Sequence, residues 1–355
     1  MTQPPGGALY PPAMNEPVLS TRALNRTLLD RQLLLARVDL PIAHAVERVA
    51  GLQTQYAPSG YVGLWTRLAG FRRDDLTAAL EAHDVVQGTL MRTTIHVVSR
   101  REYWRYALGV RHARRMWALR VATGSDESAM IARAARLREA LAGGPRSVKD
   151  LGDVAGGFVG NLGLWVDLVR VPPSGTWERR RADLLGLAEE WVGSPDATEE
   201  EGRAHLVRAY LRGFGPSPWR DIASWAGIPV ADAKRAGADL APTRYRDEDG
   251  RELVDLAGSP LPDPDVPAPP RFLPHWDAAL LVHARRTGLL PDVHRPRVFS
   301  DRNPFSVGAC LVDGRVVGSW TVRDGTVALE LFEELGPADR DAVEAEREAL
   351  EGFHA

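Results

Sequence analysis

The segment GLQTQYAPS (51–59) sets two carboxamides, Gln53 and Gln55, one residue apart, directly after an apolar helical run. A carboxamide does not titrate near neutral pH and is a poor nucleophile, but it carries two N–H donors and an oxygen with two lone pairs, so it orients water well. On a helix, side chains two residues apart diverge by about 200°; on an extended segment they share a face. Gly51 reads as a helix stop. Gln53 and Gln55 are therefore expected to project together, with Thr54 turned away. Two readings are open: convergent amides that hold a water and offer oxygen lone pairs to a developing cation, or amides that satisfy backbone groups in a turn.

Charged candidates stand nearby in the sequence. In MRTTIHVVS (91–99) Arg92 and His96 fall four apart on an alternating strand, hence on one face. They read either as a pair reaching into a cleft shared with the glutamines or as structural residues of the strand. SRREYWRYALGVRHARRMWALR (99–120) places Arg111, Arg114 and Arg115 within one turn of a helix. Such a cluster repels itself unless an anion lies nearby; DNA phosphate and acidic neighbours on the protein both fit. Trp104 and Trp117 read as core. HARRTGLLPDVHRPRVFSDRN (283–303), with Arg295, Arg297 and Arg302, reads either as a hairpin that enters a nucleic-acid groove or as an ordinary loop. PHWDAAL (274–280) holds His275 and Asp277, but the chain has no HExxH, no G-x-S-x-G elbow, no P-loop and no dinucleotide fingerprint. With Cys310 the only cysteine, neither a disulfide framework nor a cysteine-based zinc site is available. No metal and no cofactor is expected.

The elements that must position these residues come in rounds. Helices are expected over 20–32, 39–53 and 74–83, followed by strands over 85–99. Helices followed by a β-ribbon make a winged-helix unit. A second round opens with a helix over 128–144 and ends at Pro172-Pro173. The third is clearest: a helix over 199–215, a second from Ser217 and Pro218, a recognition-type helix over 229–240, and a hairpin over 243–256 with Asp249-Gly250 at its tip. GSPLPDPDVPAPP (258–270) is a linker. Strands over 305–334, turning at Asp313-Gly314 and Asp324-Gly325, suggest a small C-terminal barrel or curled sheet. An acidic helix over 337–353 closes the chain. The fold class is mixed α+β, with tandem winged-helix (helix-turn-helix) units and a small C-terminal β-barrel. Its expected parts are a disordered tail (1–17), three units (18–125, 126–195, 196–258) and the barrel with its helix (259–355).

The totals bound the function. The net charge of −3 argues alone against nucleic acid, but its distribution is uneven. Residues 101–150 carry eleven Lys+Arg against five Asp+Glu, and residues 301–355 carry five against twelve, which suggests one polarised face. Nearly all cations are arginine, which suits planar phosphate contacts. The Pro- and Gly-rich start lacks the order of a signal peptide, and no apolar run reaches the ~18–20 residues of a spanning helix, so a cytoplasmic protein is expected.

Five segments in order, LQTQ, LMRTTIHVVS, YLRGFGPSPWRDIASWAGI, FLPHWDAALL and DGRVVGSW, resemble the AlkZ-like DNA glycosylases over roughly residues 18–350. The resemblance implies a bacterial, actinobacterial repair or self-resistance enzyme with three winged helices and a C-terminal β-barrel. It implies excision of N7-alkylated purines from double-stranded DNA, including bulky adducts and interstrand crosslinks, by a monomer. A Gln-x-Gln or Gln-x-Asp motif carries catalysis in the family, and by match Gln53 and Gln55 take those places. The middle position is usually aliphatic, so Thr54 departs from the pattern. A monofunctional enzyme needs no lysine nucleophile, and Lys149 and Lys234 both lie far from the glutamines in sequence. The alternative is a non-catalytic winged-helix DNA-binding protein or transcription regulator.

Overall fold

The structure is a computed structural model that describes residues 16–121, 126–155, 164–281, 288–299 and 307–355. Along the chain, β1 (Val18–Leu19) leads into α1 (Thr21–Arg31), which Ser20 caps by accepting the Ala23 N–H. After α2 (Ile42–Arg48), Ala50 and Gly51 adopt positive φ and the Gly51 N–H returns to the Val46 carbonyl, which ends the helix. The released chain forms β2 (Leu52–Gln53). Helices α3 (Pro58–Trp65) and α4 (Arg73–Glu81) follow, then β3 (Val85–Thr89), a single 3-10 turn (Met91–Thr93), β4 (Ile95–Ser99) and α5 (Tyr103–Val121).

The next stretch holds α6 (Glu127–Leu141), β5 (Arg146–Ser147), α7 (Val148–Ala155), β6 (Leu168–Arg170), β7 (Leu184–Leu187) and α8 (Ala188–Val192). Then α9 (Glu199–Phe214) starts at a capping box in which Thr198 and Glu201 satisfy each other's backbone N–H. Helix α10 (Trp219–Ala226) ends at left-handed Gly227, α11 (Val230–Ala236) follows, and the hairpin of β8 (Thr243–Asp247) and β9 (Glu252–Asp255) turns at Gly250. The remaining elements are β10 (Arg271–Leu273), α12 (Ala278–Leu281), α13 (Arg295–Val298), β11 (Gly308–Val312), β12 (Arg315–Arg323), β13 (Thr326–Leu331) and α14 (Pro337–His354).

Three sheets result. The largest has the order β2-β4-β3-β6-β7-β5, all antiparallel, and so joins residues 52–53 to residues 184–187 in one sheet. Strands β3 and β4 are buried on both faces. Val86 and Val98 enter a core with Tyr106, Tyr210 and Trp225, while Val85 and Val97 enter one with Val46, Tyr61 and Trp320. That double burial explains why 85–99 is so rich in β-branched residues. In the second sheet β1 runs parallel to β8, beside β9.

The third sheet, β10-β11-β12-β13, corrects the expected barrel. Among the described residues it is open, with β10 and β13 as its edges. Closure is not needed to bury it. Val343 and Leu350 of α14 cover one face with Phe272, Trp320 and Val327, and Leu29, Leu280 and Leu290 pack with Leu273 and Leu311 on the other. The tight turns fall where expected, with positive φ at Asp313, Gly314, Asp324 and Gly325.

Two features lock the rounds together. Helices α5 and α9 cross at Gly109 and Gly202, where a Cβ on Gly109 would lie 2.6 Å from the Gly202 carbonyl oxygen. Arg31 makes a two-pronged bond to buried Asp255, both contacts at 2.6 Å, which ties α1 to the end of β9.

Candidate functional site

Strand β2 pairs with β4 so that Gln53 faces His96, and the Thr54 N–H extends the pairing to the Ile95 carbonyl at 2.8 Å. The Thr54 side chain is buried, its Cγ2 against Gly60, where an added Cβ would come within 2.7 Å. Thr54 thus turns away from solvent as the extended backbone requires. Gln53 is 9% exposed and Gln55 is exposed.

Both carboxamides are held where β3 turns into β4, one by the connection and the other by the first residue of β4. Arg92 Nη2 donates to Gln53 Oε1 at 2.7 Å, and the Ile95 N–H donates to Gln55 Oε1 at 3.1 Å. A guanidinium and a peptide N–H can only donate, so the orientation of both amides is fixed by chemistry. Each oxygen keeps one lone pair. Among the described residues neither amide nitrogen has a protein partner.

The connection itself is unusual. Arg92 and Thr93 both have positive φ, 51° and 63°, a region that costs L-residues energy. The turn lies on the end of α10, where a Cβ on Gly227 would be 3.5 Å from the Arg92 nitrogen. Arg92 Nη1 also caps α10 by donating to the Trp225 carbonyl at 3.0 Å. One side chain therefore links the end of α10 to Gln53. Burial lowers its guanidinium to about 10, so it remains charged at neutral pH. His96 is buried, and desolvation, with the charges of Arg92 and Arg114 behind it, pushes its imidazole down to about 3. It is neutral at pH 7, with Nδ1 bonded to the Thr94 carbonyl.

The other expected residues are placed differently from one another. Arg111 donates to both oxygens of Asp167 at 2.8 Å, and Arg115 donates to the Leu164 carbonyl and stands 5.6 Å from the Trp165 ring centre. Arg114 is 6% exposed and donates to the Thr89 carbonyl. The helical arginines thus turn toward the protein, with Asp167 the anion that accepts Arg111. Arg295 and Arg297 lie on α13. Arg295 is exposed, while Arg297 pairs with Glu330 and covers Phe332 at 3.9 Å. Arg302 lies outside the described residues. Trp104 is core as expected, but Trp117 is 48% exposed. Asp277 is a buried partner of Arg67 at 2.9 Å.

Some neighbours of the site carried no sequence signal that singled them out. Tyr56, next to Gln55, opens onto a cavity of about 250 Å³ walled by Trp177, Arg180, His275, Trp320 and His354. Arg180 Nη1 donates to the Tyr56 hydroxyl at 3.1 Å, and burial lowers both histidines. Arg170, at the end of β6, reaches the Thr89 hydroxyl at 2.8 Å. A lone arginine closing the apolar run LVRV was the available hint.

The chain matches the family model described as DNA glycosylase AlkZ-like over residues 46–353. Among solved structures it is similar to the Streptomyces sahachiroi DNA glycosylase AlkZ, with a TM-score of 0.77 and 19% sequence identity over 93% of this chain and 95% of that one. No curated protein matches it.

Proposed function

The chain belongs to the AlkZ-like family of DNA glycosylases, and from that premise we propose that it hydrolyses the N-glycosidic bond of N7-alkylated purines in double-stranded DNA, with Gln53 and Gln55 as the catalytic pair. Alkylation at N7 puts a positive charge on the purine, which can then leave without protonation. What remains is an oxocarbenium-like sugar and a water to capture it. Preorganised dipoles stabilise such a charge without the repulsion that a carboxylate would meet among phosphates. The remaining lone pair on each amide oxygen accepts a hydrogen bond from the water or faces the sugar. The observation that carries this reading is the fixing of both amides where β3 turns into β4, Gln53 by Arg92 of the turn and Gln55 by Ile95, the first residue of β4. Thr54 in the middle of the motif is compatible, because its methyl packs inward on Gly60.

In this reading Arg92 is a positioning residue, and α10, α11 and the β8–β9 hairpin act as a winged helix on the duplex, as part of the third of three such units (18–125, 126–195, 196–258). The enzyme is a monofunctional, cytoplasmic, actinobacterial monomer in alkylation repair or self-resistance, with bulky adducts and interstrand crosslinks within its proposed range. Among the described residues no helix is long and apolar enough to cross a membrane.

A second reading has its own support. Both amide oxygens already accept protein hydrogen bonds, as in a purely structural turn, which fits a DNA-binding protein without catalysis. One experiment separates the two. Incubation with methylated duplex should release free N7-methylguanine, with no release from uracil-containing duplex and no adduct trapped by borohydride. Retention of unmodified duplex with no base released would favour the regulator.

A further inference from the structure

Arg92 holds Gln53, and Arg114 and Arg170 meet at Thr89, which pairs with Ile95 across the β3–β4 ladder; among the described residues none of the three forms a salt bridge. Their hydrogen bonds go to neutral groups: Gln53 and the Trp225 carbonyl for Arg92, and Thr89 for the other two. Buried cations are ordinarily paired, because an uncompensated charge away from water is costly. Burial lowers all three guanidiniums to about 10, which leaves them charged at neutral pH. The acid that acts on Arg114 is Asp167, and that carboxylate is already engaged by Arg111 at 2.8 Å. Arg114 Nε and Nη2 and Arg170 Nε are buried without a partner.

Two of these cations converge on one residue. Arg114 Nη1 lies 2.7 Å from the Thr89 carbonyl, and Arg170 Nη1 lies 2.8 Å from its hydroxyl. Thr89 and Arg170 are half-buried, so solvent reaches them while Arg114 lies beneath. Thr89 also faces Ile95 across the β3–β4 ladder, and the Ile95 N–H holds Gln55. Excess positive charge one strand away from a forming sugar cation would oppose that cation. A bound anion would remove the opposition.

We propose that Thr89, Arg114 and Arg170 form the seat of one DNA backbone phosphate beside Gln53 and Gln55. The proposal rests on the DNA glycosylase reading for the source of the phosphate. The free protein carries unmatched charge that the duplex neutralises, so the seat lowers the stability of the free fold and raises affinity for the duplex.

The test uses the full chain with Arg170→Met and Arg170→Lys, melting curves with and without inorganic phosphate, and salt-dependent binding of unmodified duplex. Arg170→Met should melt at or above the wild type, and phosphate should raise the melting temperature of the wild type alone. Its duplex affinity should fall about tenfold at low salt, with the slope of log K against log salt shallower by about one. Arg170→Lys should keep the slope. An unchanged slope in Arg170→Met overturns the seat, as does a loss of affinity that follows a lower melting temperature. An equal phosphate effect on wild type and Arg170→Met marks an adventitious ion only, and also overturns it. Since no readout uses base release, an inactive protein with the altered slope would keep the seat and sink the glycosylase reading. An active one with an unaltered slope would do the reverse.

Discussion

At the scale of single residues, the site is built from side chains that do not change charge near neutral pH. Gln53 and Gln55 have no proton to lose, Arg92 is held at about 10, and His96 at about 3. Base release should therefore be flat from pH 6 to 8, without the bell shape of an acid–base pair. Stability should not be flat. His205 is likewise pushed down to about 3, by burial first and by Arg212 next. Both histidines are neutral in the fold and take up a proton on unfolding below their ordinary value of 6.5. Their contribution is complete above that value and is lost as pH falls toward 3. Denaturant unfolding measured across this window should show stability dropping by about 1.4 kcal/mol per pH unit for each histidine. His205→Gln should halve that slope and leave the part due to His96.

At the scale of elements, the β3–β4 connection does the positioning. It bends through two positive-φ residues, caps α10, and holds Gln53, while Ile95 at the start of β4 holds Gln55. Arg92→Met should leave duplex affinity nearly intact and slow base release on the order of a hundredfold, since Gln53 loses its anchor. Single-turnover kinetics beside equilibrium binding would check this; equal losses in both would assign Arg92 to DNA contact instead. Much of this element was legible. Gly51 as the helix stop, the extended Gln-Thr-Gln, two strands within 85–99, and the α9–α10–α11–hairpin run all follow from caps, turn residues and alternation; Arg92, expected on one strand face with His96, instead lies in the turn between the strands. The bonds from Arg92 to Gln53 and Trp225 were not legible, because they join residues 39 and 133 positions apart. The inward turn of Arg111 and Arg114 was hidden for the same reason: helical spacing shows that they cluster but not which way the cluster faces.

At the scale of the whole molecule, the rounds that the sequence presents one after another share cores. Val46 and Val97 pack in one core with Trp320 and Leu350, so the C-terminal sheet and α14 complete a core begun near the start of the chain. The barrel expectation failed here. Val343 and Leu350, seven apart on one stripe of an otherwise acidic helix, let α14 cover the sheet. Long-range ties of this kind make the fold sensitive at single points. Asp255→Ala would strand Arg31 in the interior and should cost about 3–5 kcal/mol, whereas Arg31→Met combined with Asp255→Leu should recover most of it; chemical denaturation of the three proteins would read this directly. The most direct test of the account is chemical. Free N7-methylguanine should appear from methylated duplex under single-turnover conditions with the wild type, and fall at least a hundredfold with folded Gln55→Ala. Equal release by the two proteins, or none by either, would contradict catalysis by the Gln53–Gln55 pair.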